Sequence, residues 1–450
     1  MPYRWAYCLP VLLALACSSR EPTTVHGRID GSIEPRAYDW PQWRGPERTG
    51  ISRETGLLKS WPAGGPKLVW KNTSLGNGYS TPSVARGYIF GLSFRGNDEV
   101  VWVLDEASGK EIWSERVAKA ERTKAPQGSE GSHSTPTVDG DALYVEGIQG
   151  DIACLDLRRG QVRWHKNLVS DFGGNVPAWG YSESPLVDGD QVIFTPGGNQ
   201  ATLVALDKNS GATIWKAVVP GGNAAAYASP VIAEIGGQKQ YVQLLHQGVV
   251  GVSAKDGRFL WRYDKPANGV ANCTTPITFG DLVFAASGYG NGGGLARITR
   301  KGDQFHADEV QFTKHMKNHH GGVVLIDGYF YGADDPGSLV CLDAKTLKLM
   351  WEDRKPGKGS ISAADGRLYY RNENGPIVLV DASPKGYVER GRFDQPDRTG
   401  LSAWPHPVIA NGKLYIRDQD VLLCYDVKDP GATADASKQI ATQQESKQRK

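Results

Sequence analysis

The side chains with the most chemical capacity stand just ahead of recurrent short apolar segments: His133, Trp179 with Glu183, Tyr227, Asn272, Asn318 to His320, Lys358, and Trp404 with His406. Polar and aromatic groups converging from several segments on one opening are what a small-molecule site requires. Glu183 and Asn272 offer oxygen atoms, the donors a calcium ion takes, which makes them the candidate metal ligands. At the next segment Asn318, His319 and His320 stand where a third carboxylate would complete such a site. His319 and His320 also form a set of imidazoles with His133 and His406. Their spacing matches no zinc signature, because the members come from distant parts of the chain. Histidines that cap loop amides are the default reading. Lys358 suits an anionic ligand or a solvated loop equally well. Other motifs offer less. GYGNGGG at 288–294 precedes the strand-like LARITR, so it presents no helix N-terminus to a phosphate. Asp105, Asp156, Asp207 and Asp343 each precede a hairpin turn, where a carboxylate caps backbone amides.

These residues need a frame, and a repeat supplies it. Trp70, Trp113, Trp164, Trp215, Trp261 and Trp351 recur at near-regular intervals, most of them closing one phrase, as in LDEASGKEIW, LDLRRGQVRW and LDKNSGATIW. A strand-rich period of about 40–50 residues signals a propeller or a similar array. The unit STPTVDGDALYVEGIQGDIACLDLRRGQVRW at 134–164 reads as a four-stranded antiparallel meander with Asp-Gly turns. Its starts recur at 80–84, 134–138, 183–187, 228–232, 274–278, 320–328, 359–366 and 406–412, which gives eight units. The fifth lacks its tryptophan and has VQF at 310–312, and the seventh ends in Phe393. The eighth stops without a fourth strand, whereas GPKLVWK at 65–71 has the fourth-strand pattern and no strands before it. The expected fold is all-β: an eight-bladed β-propeller closed by an N-terminal strand that completes the last blade. Closure removes two exposed sheet edges.

The N-terminus reads as a targeting segment, with CLPVLLALA as a short apolar run and a small-residue cleavage site at Ala14-Leu15-Ala16. Cys17 follows at once and is the expected lipidation site, anchoring a soluble body to a membrane surface. The organisation is therefore a signal peptide over 1–17, a polar linker over 18–38, one propeller over 39–428 and a polar tail over 429–450. WPQWRGPERTGIS at 40–52 has aromatics without strand alternation and is expected to pack on the propeller as an ordered lead-in. A net charge of +2 gives no footprint for nucleic acid. Cys154, Cys341 and Cys424 occupy equivalent strand positions in separate units, too far apart to bridge, and read as buried small hydrophobes. Cys273 is the one thiol placed near a pocket.

The Ser/Thr-Pro-x-Val, Asp-Gly, Leu-Asp, Gly and Trp pattern from Trp70 to Val427 resembles the pyrroloquinoline-quinone (PQQ) β-propeller superfamily. WPQWRGP, SESPLVDGD and NHHGGVVLIDG are similar to its secreted and lipoprotein members. That resemblance implies that the recurrent tryptophans dock between blades. It also implies two kinds of function, and the aromatic mouth leaves sugar binding as a third that nothing in the sequence selects. Cofactor-free members include a lipoprotein that helps assemble outer-membrane proteins, so one expectation is a monomeric binding scaffold for envelope proteins or peptides. It would be periplasmic or otherwise extracytoplasmic, held at the outer membrane by lipid alone. The alternative is a PQQ- and calcium-dependent oxidoreductase acting on a small alcohol or sugar. There Trp179 or Trp404 would stack on the cofactor, Glu183 and Asn272 would hold calcium, and Lys358 would meet the quinone. The dehydrogenases usually add a vicinal Cys-Cys disulfide, and no adjacent cysteines occur in this chain.

Overall fold

The computed structural model describes residues 25–432 except Pro126 and Asn223. The signal segment, Cys17 and nearly all of the tail lie outside the described residues. The chain forms eight sheets, seven of four strands and one of five. Blades 1 to 8 span 83–119, 137–167, 186–217, 231–263, 277–313, 323–353, 359–394 and 408–426. First strands of neighbouring blades touch one another, so they line the axis. Middle strands such as Ala142–Glu146 are buried along their whole length, because a blade packs on each face. That is why they read as continuous apolar runs. Outer strands such as Val162–Asn167 fully bury only the tryptophan, here Trp164. Lys67–Asn72 pairs antiparallel with Val421–Asp426, with Trp70 opposite Cys424, and closes the ring as expected.

The repeated phrase has a packing cause. Each outer strand shifts register beside its tryptophan position, as between Val162 and Trp164, and such a bulge re-aims a side chain. The indole then crosses to the next blade. Trp70 Nε1 donates to the Glu106 carbonyl at 3.0 Å, Trp113 to Leu157 at 3.2 Å and Trp164 to Lys208 at 2.9 Å. The glycine of the following turn lies under the ring. A Cβ on Gly160 would fall 2.7 Å from Trp113, and Gly160 has φ +71°. Glycine is needed there for both conformation and space. The ring departs from this rule at three blades: Trp261 of blade 4 donates to Gln240 of its own blade at 2.7 Å, and two blades lack the tryptophan. Blade 5 has Gln311 at the tryptophan register, and in the facing turn of blade 6 Leu347 takes a positive φ of 54° and packs with Phe284 and Phe330. The larger side chain fills what the missing indole leaves. In blade 7 the register holds Gly391, not Phe393, and a Cβ on Gly391 would meet Trp61. Trp61, from the segment between the lead-in and Lys67–Asn72, packs against Tyr369 and Phe393 at 6.1 and 5.0 Å and takes the seventh slot. Cys154, Cys341 and Cys424 are free and buried, each opposite a slot tryptophan in register.

The lead-in does more than pack on the propeller: it threads the axis. Trp40 pairs with Val84 in blade 1, and the Val138 amide of blade 2 donates to the Pro41 carbonyl at 2.8 Å. Arg48 reaches the carbonyls of Ser184 and Pro185 in blade 3 and Pro230 in blade 4. Trp43 Nε1 donates to Thr275 Oγ1 of blade 5 at 2.9 Å, and Arg44 donates to the Val323 carbonyl of blade 6. Ile51–Ser52 adds a short parallel strand to blade 7. Main-chain carbonyls thus stabilise two buried guanidinium groups, and the segment plugs the channel. Residues 25–38 also lie on the blades, where Ile29 is buried beside Tyr88 and Trp113 and donates to the Arg158 carbonyl at 2.9 Å.

Candidate functional site

Above the plug the channel opens into a cavity of about 240 Å³. One register rule builds its wall. The residue three before the proline of each first strand, or its equivalent, points to the axis: Tyr79, His133, Ser182, Tyr227, Cys273, His319, Lys358 and Trp404. Lys358 belongs to this series because Ser362 Oγ donates to the Pro407 carbonyl just as Thr137 Oγ1 donates to that of Pro185. All but Lys358 line the cavity, which Trp179, Tyr289, His320, His406 and Trp43 complete. One residue before the proline, hydroxyls tie neighbouring blades together. Ser184 Oγ accepts from the Thr135 amide at 2.9 Å, and Thr81 Oγ1 from the His406 amide at 3.0 Å. Between these two positions the side chain turns into the blade sandwich, as alternation along an extended chain requires. Ser80, Ser134, Glu183 and Thr274 are all buried there.

The lining is aromatic and uncharged. Trp404 lies 4.5 Å from Tyr79 and 5.7 Å from His320, and Trp179 meets Tyr227 edge-on at 5.8 Å. Trp43, at the tip of the plug, lies 4.7 Å from the His406 ring. Burial pushes the imidazoles of His133 and His319 down to about 4, and burial with the Arg44 charge takes His406 to about 3. Burial, then His319, Lys358 and His406, holds His320 well below the usual range. All four are therefore neutral near pH 7. His133 Nε2 donates to the Gly128 carbonyl at 2.6 Å, and its Nδ1 accepts from Ser182 Oγ at 2.8 Å. His406 Nε2 donates to the His320 carbonyl at 2.9 Å, which leaves its Nδ1 an acceptor without a partner. Neither ring nitrogen of His320 has a partner. Charge is confined to the rim. Lys358 Nζ donates to His319 Nδ1 at 3.1 Å and sits 3.7 Å from both Asp335 and Glu373. Trp404 Nε1 donates to Glu373 at 2.9 Å, and Tyr79 to Glu130 at 3.0 Å.

The sequence-derived set divides at this wall. Trp179, Trp404, His133, Tyr227, His319, His320 and His406 come together at the mouth, and Lys358 stands behind His319. Glu183, Asn272 and Asn318 do not line it. Glu183 is 2 % exposed and accepts from the Thr195 amide and from Gln243 Nε2 at 2.9 Å. It lies against Glu146, and burial raises both carboxyls. Asn272 gives its amide to the carbonyls of Leu245 and His246 at 3.1 and 2.9 Å, and its oxygen accepts from Asn268 at 2.9 Å. Asn318 bridges Thr274, Gly322 and Ala333. A calcium-bound PQQ therefore does not fit these residues. Glu183 and Asn272 are committed inside the wall, and the cavity is smaller than the roughly 300–1,000 Å³ typical of drug-sized ligands. Among the described residues no cluster of three or more His, Cys, Asp or Glu is arranged to hold a metal. Trp43, Tyr79, Thr81 and Tyr289 were not among the expected residues. Tyr79 was findable, since YSTPSV repeats the register of HSTPTV, whereas nothing local marks Trp43 as the floor.

The family model described as "Outer membrane protein assembly factor BamB" matches residues 48–181 and 97–352. The BamB of Shewanella oneidensis is 28% identical over 78% of this chain and 86% of its own length. That of Burkholderia pseudomallei is 22% identical over 57% of this chain, and the match spans 62% of that relative, under two thirds of it. Among solved structures, BamB from Moraxella catarrhalis superposes with a TM-score of 0.56 at 16% identity, covering 80% of this chain and 97% of that one. A europium-containing methanol dehydrogenase gives 0.51 at 11% identity, covering 86% and 91%. At such identities both structures speak to the fold alone.

Proposed function

Because the chain belongs to the outer membrane protein assembly factor BamB family, we propose that it is a non-catalytic interaction scaffold of the cell envelope, holding proteins that take part in outer-membrane assembly. The observation that carries this reading is the plugged axis. Trp40 to Ser52 brace blades 1 to 7 from within, and the first and last strands share one sheet, so the ring is built as a rigid body. Each blade ends in an outer strand bonded on one side only, and such edges accept segments of partner proteins. The mouth supports the same choice, because its carboxylate and amide are spent on the wall.

We further propose that the protein acts in the periplasm, with 1–17 as a removed signal and Cys17 as the lipidated residue that tethers the propeller to the outer membrane. Single-site photocross-linking from the outer strands, for instance at Ile214 and Met350, in intact envelopes tests the scaffold. Discrete adducts with outer-membrane assembly components are expected, and their absence from every blade would refute it. Release of a Cys17→Ser variant from the membrane fraction tests the anchor separately.

A further inference from the structure

The mouth cavity has features that scaffolding alone does not explain. Its wall repeats one backbone register eight times, yet holds a different side chain at nearly every blade. Its centre carries buried polar atoms without partners. His406 is 3 % exposed with an unpartnered Nδ1, and both ring nitrogens of His320, beside it, are unpartnered as well. An unpaired buried polar group is costly and calls for an explanation. Four clues define what would satisfy the site. The volume of about 240 Å³ equals roughly eight waters, enough for one substituted six-membered ring. The walls are aromatic, with Trp404 beside Tyr79 on one side and Trp179 beside Tyr227 on another. The imidazoles are neutral, and the rim lysine, Lys358, already faces Asp335 and Glu373, so no anion is invited. Finally, His406 Nδ1 needs a donor while a neutral His320 needs one donor and one acceptor. A hydroxyl is both.

We propose that this cavity binds a single neutral sugar ring, a pyranose presented free or at the end of a glycan. Its C–H face stacks on Trp404, and its hydroxyls bond to His320 and His406. An apolar anchor side chain from a partner protein would stack equally well and leave the imidazole nitrogens unsatisfied. A carboxylated ligand would bring a charge that no free cation meets. The site is separate from the outer-strand surface, so it stands or falls apart from the scaffold reading.

The test is tryptophan fluorescence of the full-length protein titrated with methyl glucoside, methyl galactoside, methyl mannoside and N-acetylglucosamine. Glucuronate and N-acetyltryptophanamide serve as contrasting probes. Saturable quenching by at least one neutral pyranoside is expected, with a Kd on the order of 1 mM. Tyr289→Ala, at the half-exposed rim, should fold normally and weaken binding about threefold, and His320→Leu at least tenfold. Glucuronate should bind more weakly than glucoside. Disaccharides capped at the non-reducing end distinguish a free sugar from a glycan terminus. If no neutral pyranoside gives saturable quenching, or if tryptophanamide binds while the pyranosides do not, the proposal is overturned. So is unchanged affinity in the His320→Leu protein.

Discussion

The same repeat carries opposite information at two radii of the ring. At the outer strands, Trp70, Trp113 and Trp164 make one contact over and over: an indole N–H to the next blade's carbonyl, with a glycine under the ring. At the axis, the position three before the proline holds tyrosine, histidine, serine, cysteine, lysine or tryptophan. Blade-to-blade packing poses a similar problem at successive steps, so one solution recurs. The mouth is one shared space to which each blade adds a different wall. In this molecule repetition marks structure, and departure from repetition marks either repair or a site. Blades 5 to 7 show the repair: Leu347 fills a missing indole and Trp61 supplies another from a different part of the chain.

If that contrast is right, the slots should dominate stability. Trp113→Ala empties a site that is 1 % exposed and is expected to cost about 3–5 kcal/mol. Trp61→Ala should cost nearly as much, although Trp61 lies outside every repeat. Chemical denaturation of both variants measures this. A loss under 1 kcal/mol at Trp61 would show that its segment merely rests on blade 7. Next comes Gly160→Ala, which sets a Cβ 2.7 Å from the Trp113 ring at a φ of +71°. About 2–4 kcal/mol of destabilisation is expected from strain and overpacking together. The double variant with Trp113→Ala should lose less than the sum, because removing the indole relieves the clash.

The two radii were not equally legible. The tryptophan phrase, the turns and the orphan strand GPKLVWK specified the closed eight-bladed ring, since each follows from local spacing. His133, Tyr227 and Trp404 fall on the inward register and stand at the mouth, whereas Glu183 and Asn272 stand one residue away from it. An extended chain flips its side chain at each step, so a shift of one moves a group from the channel into the sandwich. Type alone cannot reveal that shift, but alignment on the proline can. Trp43 and Trp61 were beyond reach for another reason. Their partners, Thr275 and Phe393, lie more than two hundred residues away, and no period links them.

Between the slots and the mouth lies a buried acid that separates the two behaviours by pH. Glu99 is fully buried and accepts from the Ile148 amide at 3.2 Å, and burial raises its carboxyl to about 7. The folded state therefore holds a proton that the unfolded chain releases near the ordinary carboxylate range. Stability from this group is fully present at low pH and is lost as pH rises through about 7. Glu99→Gln has no proton to lose. Relative to the parent, the variant should gain on the order of 2 kcal/mol between pH 4 and pH 8. Urea denaturation at both pH values reads the difference, and a gap that does not change with pH would show that Glu99 is ionised in the fold.

The smallest expected effect on stability is the most informative about the mouth. Tyr289 is 49 % exposed, and its one ring contact is edge-on to His319 of the next blade at 4.9 Å. Its removal leaves no internal cavity, so Tyr289→Ala should change unfolding free energy by less than about 0.5 kcal/mol. A packing residue would not behave this way, as the Trp113 comparison makes plain. If Tyr289→Ala instead destabilises the fold like a slot variant, the rim is part of the core, and its departure from the repeat is repair of the kind seen at Leu347. If stability holds while sugar-dependent quenching weakens, the residue belongs to a site. Only under that second outcome do the inner and outer radii of one repeat serve different ends.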